Sequence, residues 1–192
     1  MKNKLKTKDL IFAGIFGALY IVVMMITVSI VGLNPITFLS APFFVGITGA
    51  PVYILMTIRI KKFGAALILS VLLGLIMMAA TPIAAAWAIV CGIIAEIIIR
   101  AGKYQSQKAY NTSFMVFALS TVGTYLAIWF AKDNYIATTA SSYGQEYANQ
   151  LSALTPWWAV VIIMASAVIG AFIGTRFTNK ILKKHFERAE LV

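Results

Sequence analysis

Apolar positions along the chain gather into six runs, near residues 10–31, 36–58, 63–80, 83–99, 112–131 and 156–177, each bounded by charges or turn residues. A helix needs about 20 residues to cross the hydrocarbon core of a bilayer, and the third and fourth runs sit at the short end of that range. Fused into one helix, 63–99 would be about 55 Å long, far more than a core of about 30 Å. Thr81-Pro82 supplies a turn between them, so the two runs predict a helical hairpin. The second run is irregular. It carries Pro42, Gly46, Gly49 and Pro51 after Asn34-Pro35 at its outer end. Interior prolines remove backbone hydrogen bonds, which lipid tolerates only where protein or a cavity satisfies the freed carbonyls. The second helix is therefore expected to be kinked and to border a cavity, unless the kink serves packing alone.

Composition makes the bilayer reading compelling. The chain is 61% hydrophobic and 11% charged, with a mean hydropathy of +0.89. A soluble domain of 192 residues cannot hide that much apolar surface. The first run is too long for a removable signal peptide, and no small-residue cleavage site follows it. The net charge of +10 does not point to nucleic acid, because the basic residues lie between the runs. Lys2, Lys4, Lys6 and Lys8 precede the first run. Arg59, Lys61 and Lys62 follow the second. Arg100, Lys103 and Lys108 follow the fourth, and Arg176, Lys180, Lys183, Lys184 and Arg188 close the chain. The alternate connections hold only Lys132. Basic residues collect on the cytoplasmic side of membrane proteins. The expectation is a single all-α integral membrane domain over 1–192, with six transmembrane helices and both termini cytoplasmic.

Several chemistries lack their residues. The one histidine, His185, sits in the basic tail "KKHFERAELV" and reads as a solvated or headgroup-level residue. Paired-histidine haem ligation, histidine zinc sites and serine–histidine proteolysis are therefore excluded. Cys91, the one cysteine, allows no intrachain disulfide and reads as a small packing residue. No Gly-x-x-x-x-Gly-Lys loop is present, so the chain binds no ATP by that motif. Of the six acids only Glu96 lies within a run. Arg100 at i+4 is placed to pair with it, and both are near headgroups, so a structural ion pair is expected rather than a proton relay. No catalytic, metal or cofactor site is expected, and an enzyme is not.

Polar and aromatic residues gather on the outer side. Asn34 stands at the outer end of the second run and Trp87 near that of the fourth. Thr121, Thr124, Tyr125 and Trp129 follow in the fifth, then Asp133, and Pro156-Trp157-Trp158 opens the sixth. Positions 121, 125, 128 and 129 fall on one helical face. An interfacial aromatic belt accounts for some of them. The alternative is a pocket whose rings stack on a small molecule and whose polar groups orient it. Asn34, Trp87, Thr121, Tyr125, Trp129, Asp133 and Trp158 are its candidate residues. The connection 132–155 is the only long one and reads as a lid or as a solvated tether.

The first run contains "LIFAGIFGALYIVV", in which Ala13, Gly14, Gly17 and Ala18 stack at spacings of three and four. Such small-xxx-small patterns let another helix approach closely. Ala167/Ala171 and Gly170/Gly174 repeat the device in the sixth run. Either the two patches pack on each other or one meets a separate protein.

The stretches "IFAGIFGALYIVVMM", "GIIAEIIIRAGKYQS" and "KKHFERA" resemble the Trep_Strep-type group of S components, the substrate-binding subunits of energy-coupling factor (ECF) transporters. The resemblance covers essentially the whole chain. It implies a multi-pass protein of the bacterial plasma membrane that captures a vitamin or related small molecule from outside. It implies docking on a membrane-embedded T component driven by two cytosolic ATPases, so that ATP is used by the partners. The first-helix motif would meet the T component, through Ala13/Gly17 or Gly14/Ala18. Substrate would sit near the outer ends of helices four to six. An aromatic vitamin, such as a thiamine-precursor pyrimidine, would suit the aromatic wall. On this reading a bulky residue at Gly17 or Ala18 abolishes docking and spares ligand binding. The alternative is a stand-alone small-solute carrier.

Overall fold

A computed structural model describes the backbone of residues 5–189 and the side chains through Lys184. Lys2, Lys4 and Glu190 lie outside the described residues, as do the side chains of His185, Glu187 and Arg188. The described chain is helical: α1 Thr7–Val31, α2 Pro35–Leu39, α3 Ala41–Ile60, α4 Ala65–Met78 and α5 Pro82–Ala101. Next come α6 Gln107–Ala118, a 3-10 turn Leu119–Val122 and α7 Gly123–Phe130. Then follow α8 Lys132–Tyr143, α9 Gln145–Ala153 and α10 Ala159–Ala189.

Five helical stretches among the described residues are long and apolar enough to cross a membrane, α6 to α7 counting as one. The remaining apolar helix, α4, has 14 residues and is about 21 Å long. The chain is thus a multi-span helical membrane protein. "Inner" below means the lysine-rich end and "outer" the opposite one. The inner clusters converge in space: Lys62 pairs with Asp9 at 2.5 Å, and Arg59 lies over the Phe12 ring.

Turn chemistry sets the helix ends. The Asn34 side chain accepts from the Ile36 N–H at 2.9 Å with Pro35 in the first turn, which starts α2. Thr81 does the same for α5, accepting from Ala84 N–H, with Pro82 behind it. The second run breaks at Ser40 into α2 and α3, in keeping with its prolines.

α3 is the central helix and packs against α1, α6 and α10. Lipid removes the usual hydrophobic drive between helices, so close contact must supply the stability. Glycine supplies the closeness. A Cβ at Gly170 would lie 2.1 Å from the Phe43 carbonyl oxygen, and one at Gly174 would lie 2.6 Å from that of Gly46. On the inner side of this seam, Tyr53 packs between Phe114 and Phe117, with ring centroids 5.1 and 4.9 Å away and the rings tilted. Its hydroxyl shares a hydrogen bond with Ser113 at 2.7 Å.

The small residues of α1 split between two faces. Ala13 and Gly17 are buried, and a Cβ at Gly17 would meet Leu72 of α4 at 2.6 Å. Gly14 and Ala18 are exposed, and nothing lies within 4 Å of a Cβ built at Gly14. The patches on α1 and α10 do not pack on each other: α10 uses its own on α3. A bulky residue at Gly17 therefore tests packing inside the chain, and the outward pair is Gly14 and Ala18.

Two further expectations are corrected. The connection 132–155, read as a lid or a solvated tether, is not a tether but a pair of helices, α8 and α9, turning at Gly144 with φ +93°. Nor does Glu96 pair with Arg100. Glu96 is 1% exposed and points into the bundle, where it accepts from the Ala66 N–H at 3.0 Å and the Tyr104 hydroxyl at 3.2 Å. Arg100 is exposed and lies over the Phe63 ring. α4 has Gly64 before it and no side-chain cap of its own, so a carboxyl from the neighbouring helix caps it. A carboxylate oxygen suits the positive end of a helix. Glu96→Ala should leave a buried N–H unpaired and lower the thermal midpoint in detergent by about 5–10 °C. Glu96→Gln keeps an acceptor for Ala66 and should retain most of the stability. Equal melting of the two variants would argue against the cap.

Candidate functional site

The outer half of the bundle encloses a cavity of about 380 Å³, within the ~300–1,000 Å³ range of small-molecule sites. Each wall follows from a local feature. The break at Ser40 turns α2 away from α3, so that Phe38 and Pro42 border the space. α1 contributes Met24, Met25, Val28 and Ser29, the outer end of α4 contributes Ile76 and Met77, and the turn after it contributes Ala80. Thr121 of the 3-10 turn and Thr124 and Tyr125 of α7 form the polar side. Tyr135 of α8 closes the top.

None of these lining residues carries a charge. Burial, with neighbouring Tyr147 and Tyr143, pushes the Tyr135 hydroxyl up to about 12, so it stays neutral at physiological pH. Three lining hydroxyls already donate their protons to the backbone: Thr121 to Ala118 O at 2.7 Å, Thr124 to Thr121 O at 3.1 Å and Tyr125 to Phe38 O at 2.8 Å. Their oxygens retain lone pairs, so this side offers acceptors. The methionine thioethers on the facing walls are polarisable and suit the edges of aromatic rings. The cavity can therefore hold an uncharged, mainly apolar molecule and accept hydrogen bonds from it.

The sequence candidates divide. Thr121 and Tyr125 line the cavity together. Asn34 is engaged as the cap of α2. Trp87 donates its indole N–H to Leu119 O at 2.8 Å, engaging a carbonyl of the 3-10 turn. Trp129 donates to Pro156 O at 3.2 Å and shares a buried cluster with Ile128, Ala159 and Ile163. Of the face expected to join 121, 125, 128 and 129, Tyr125, Ile128 and Trp129 share one buried cluster, while only Thr121 and Tyr125 line the cavity. Asp133 is exposed in the first turn of α8. Trp158, like Trp157, is exposed, and it borders a separate recess of about 250 Å³ with Leu39 and Ser166. The lining residues missed by sequence reasoning include Met24, Phe38, Met77 and Ala80. Their only sequence signal is the kink at Pro42, which announces a cavity without naming its far wall.

No curated protein and no solved structure matches this chain significantly. One family does, described as hypothetical bacterial integral membrane protein (Trep_Strep), and the match runs over residues 7–188. With its several apolar membrane-length helices and a match over nearly its whole length, the chain belongs to the Trep_Strep family of integral membrane proteins.

Proposed function

We propose that this protein is the substrate-capture subunit of an ECF-type importer in the bacterial plasma membrane, binding a vitamin-like, aromatic small molecule on the outer side. The observation that carries the reading is the uncharged cavity in the outer half, roofed by α8. The ligand ring lies among Phe38, Tyr125 and the methionines, and its polar edge meets the Thr121 and Thr124 oxygens. The bare pair Gly14 and Ala18 supports docking of α1 on a membrane-embedded T component. The sequence carries no ATP-binding loop, so two cytosolic ATPases on that partner supply the energy. Inward tilting of the loaded subunit then releases the ligand.

Gentle purification followed by mass spectrometry of co-purified metabolites tests the reading. A bound aromatic metabolite is expected, and Thr121→Leu, which fills the cavity, should weaken it at least tenfold. Solute transport by the isolated chain in proteoliposomes, without ATPases, would overturn the proposal in favour of a stand-alone carrier.

A further inference from the structure

The cavity is covered above by the partly buried rings of Phe38 and Tyr135 and is open at the side. Its deep walls, Pro42, Val45, Thr121 and Tyr125, are buried. Toward the outer aqueous face stand the Phe38–Tyr125 ring pair, with centroids 4.9 Å apart, and Tyr135 of α8. Tyr147 of α9 donates to Gly32 O at 3.0 Å and ties the α8–α9 hairpin to the end of α1. The exposed lining residues are Met25 and Ser29 on α1, Ile76 at the outer end of α4, and Ala80 in the α4–α5 turn. The mouth therefore lies between α1 and α4.

The depth of that mouth follows from the short fourth helix. α1 and α4 touch at Gly17 against Leu69 and Leu72. Counted up from there, the α4–α5 turn reaches only the level of Met25. α1 continues past it to Val31, with exposed apolar side chains from Leu10 to Ile30. Met25, at the lower edge of the mouth, lies about 9 Å below Val31, the last residue of α1, at 1.5 Å per residue, inside the lipid-facing band. An opening at that level faces the acyl chains of the outer leaflet rather than water.

We infer that the ligand enters sideways from the outer leaflet, between α1 and the tip of the α4–α5 hairpin, and is a neutral, lipid-partitioning aromatic molecule with an O–H or N–H donor. This rests on the capture reading and narrows it. A charged or strongly polar vitamin would not gather in the acyl region. The lining hydroxyls Thr121, Thr124 and Tyr125 have donated their protons to backbone carbonyls, so a ligand donor answers them.

The test uses the full chain in lipid nanodiscs with three naphthalene probes: 2-naphthol, 2-methoxynaphthalene and anionic naphthalene-2-sulfonate. Saturable binding of 2-naphthol is expected, about three- to tenfold tighter than the methoxy probe that lacks the donor. No binding of the sulfonate is expected. In stopped-flow measurements Met25→Trp and Ala80→Trp, each at an exposed position of the mouth, should slow the association rate about tenfold, with the dissociation constant measured alongside so that any change in binding at these lining residues is read separately from entry. Tyr135→Ala, in the roof, should change entry less than twofold. Fast entry in both mouth variants, with acceleration by Tyr135→Ala, would overturn the lateral route in favour of a water-facing one. Equal binding of the hydroxyl and methoxy probes would overturn the donor requirement. If all three probes fail while a polar metabolite co-purifies, this inference falls and capture stands. If nothing binds or co-purifies, both fall.

Discussion

Gly170→Val should abolish the folded bundle, or lower its thermal midpoint in detergent by more than about 10 °C. At this position even the Cβ of alanine would lie 2.1 Å from the Phe43 carbonyl oxygen and 2.8 Å from its carbon. Both are backbone atoms and cannot swing aside as a side-chain tip does. Relief requires α10 to move away from α3. The neighbouring contacts, Gly174 on Gly46 and Gly46 on the Ala171 nitrogen, would be lost with it. Overpacking a core costs about 1–3 kcal/mol when side chains absorb it, and more when two backbones must part. Gly14→Val is the matched control. Open space surrounds that position, so its midpoint should stay within a few degrees of the parent. Tryptophan fluorescence during heating, with size-exclusion recovery, measures both. Parent-like melting of Gly170→Val would refute the backbone seam between α3 and α10.

The second large effect concerns partnership. With Gly14 and Ala18 both changed to leucine, ATP-driven uptake and co-purification of a T component should fall at least tenfold. Ligand binding by the isolated chain should remain within twofold, because neither residue lines the cavity. Two leucines raise a ridge on a smooth helix face and hold the opposing helix off, and dispersion contacts fade steeply with such a gap. An adjacent exposed apolar change, Ile15→Leu, should leave uptake intact. Full uptake by the leucine pair would mean that α1 is not the docking face. Gly17→Leu is a poor substitute, since its side chain would collide with Leu72 inside the chain.

Much of the fold was legible because lipid imposes simple demands. Apolar runs of membrane length, and lysines at alternate connections, follow from the cost of burying charge and unpaired backbone. Thr81-Pro82 was legible as a turn, and in the structure it and Asn34-Pro35 start helices, since a short polar cap and a residue without an N–H suit that position. The helices α8 and α9 escaped notice because neither is apolar enough to betray itself, and polar helices of this length borrow their stability from what they pack on. The candidate site was half legible. Thr121 and Tyr125 stand out as polar groups in an apolar run, whereas Met24, Met77 and Ala80 look like any other residue in a lipid-facing helix.

The sequence by itself determined that this chain lives in a bilayer as a helical bundle, which side carries its charge, and that its second helix breaks. Those properties depend on one segment at a time and on the solvent around it. Tertiary structure alone decided the rest. It turned Ala13 and Gly17 inward while leaving Gly14 and Ala18 bare, sent Glu96 to cap a neighbouring helix instead of joining Arg100, and assembled a cavity from walls distant in the chain. Rotation of a helix about its own axis, and its height relative to its neighbours, arise only from contact between segments. In an almost uniformly apolar sequence, side-chain polarity says little about either.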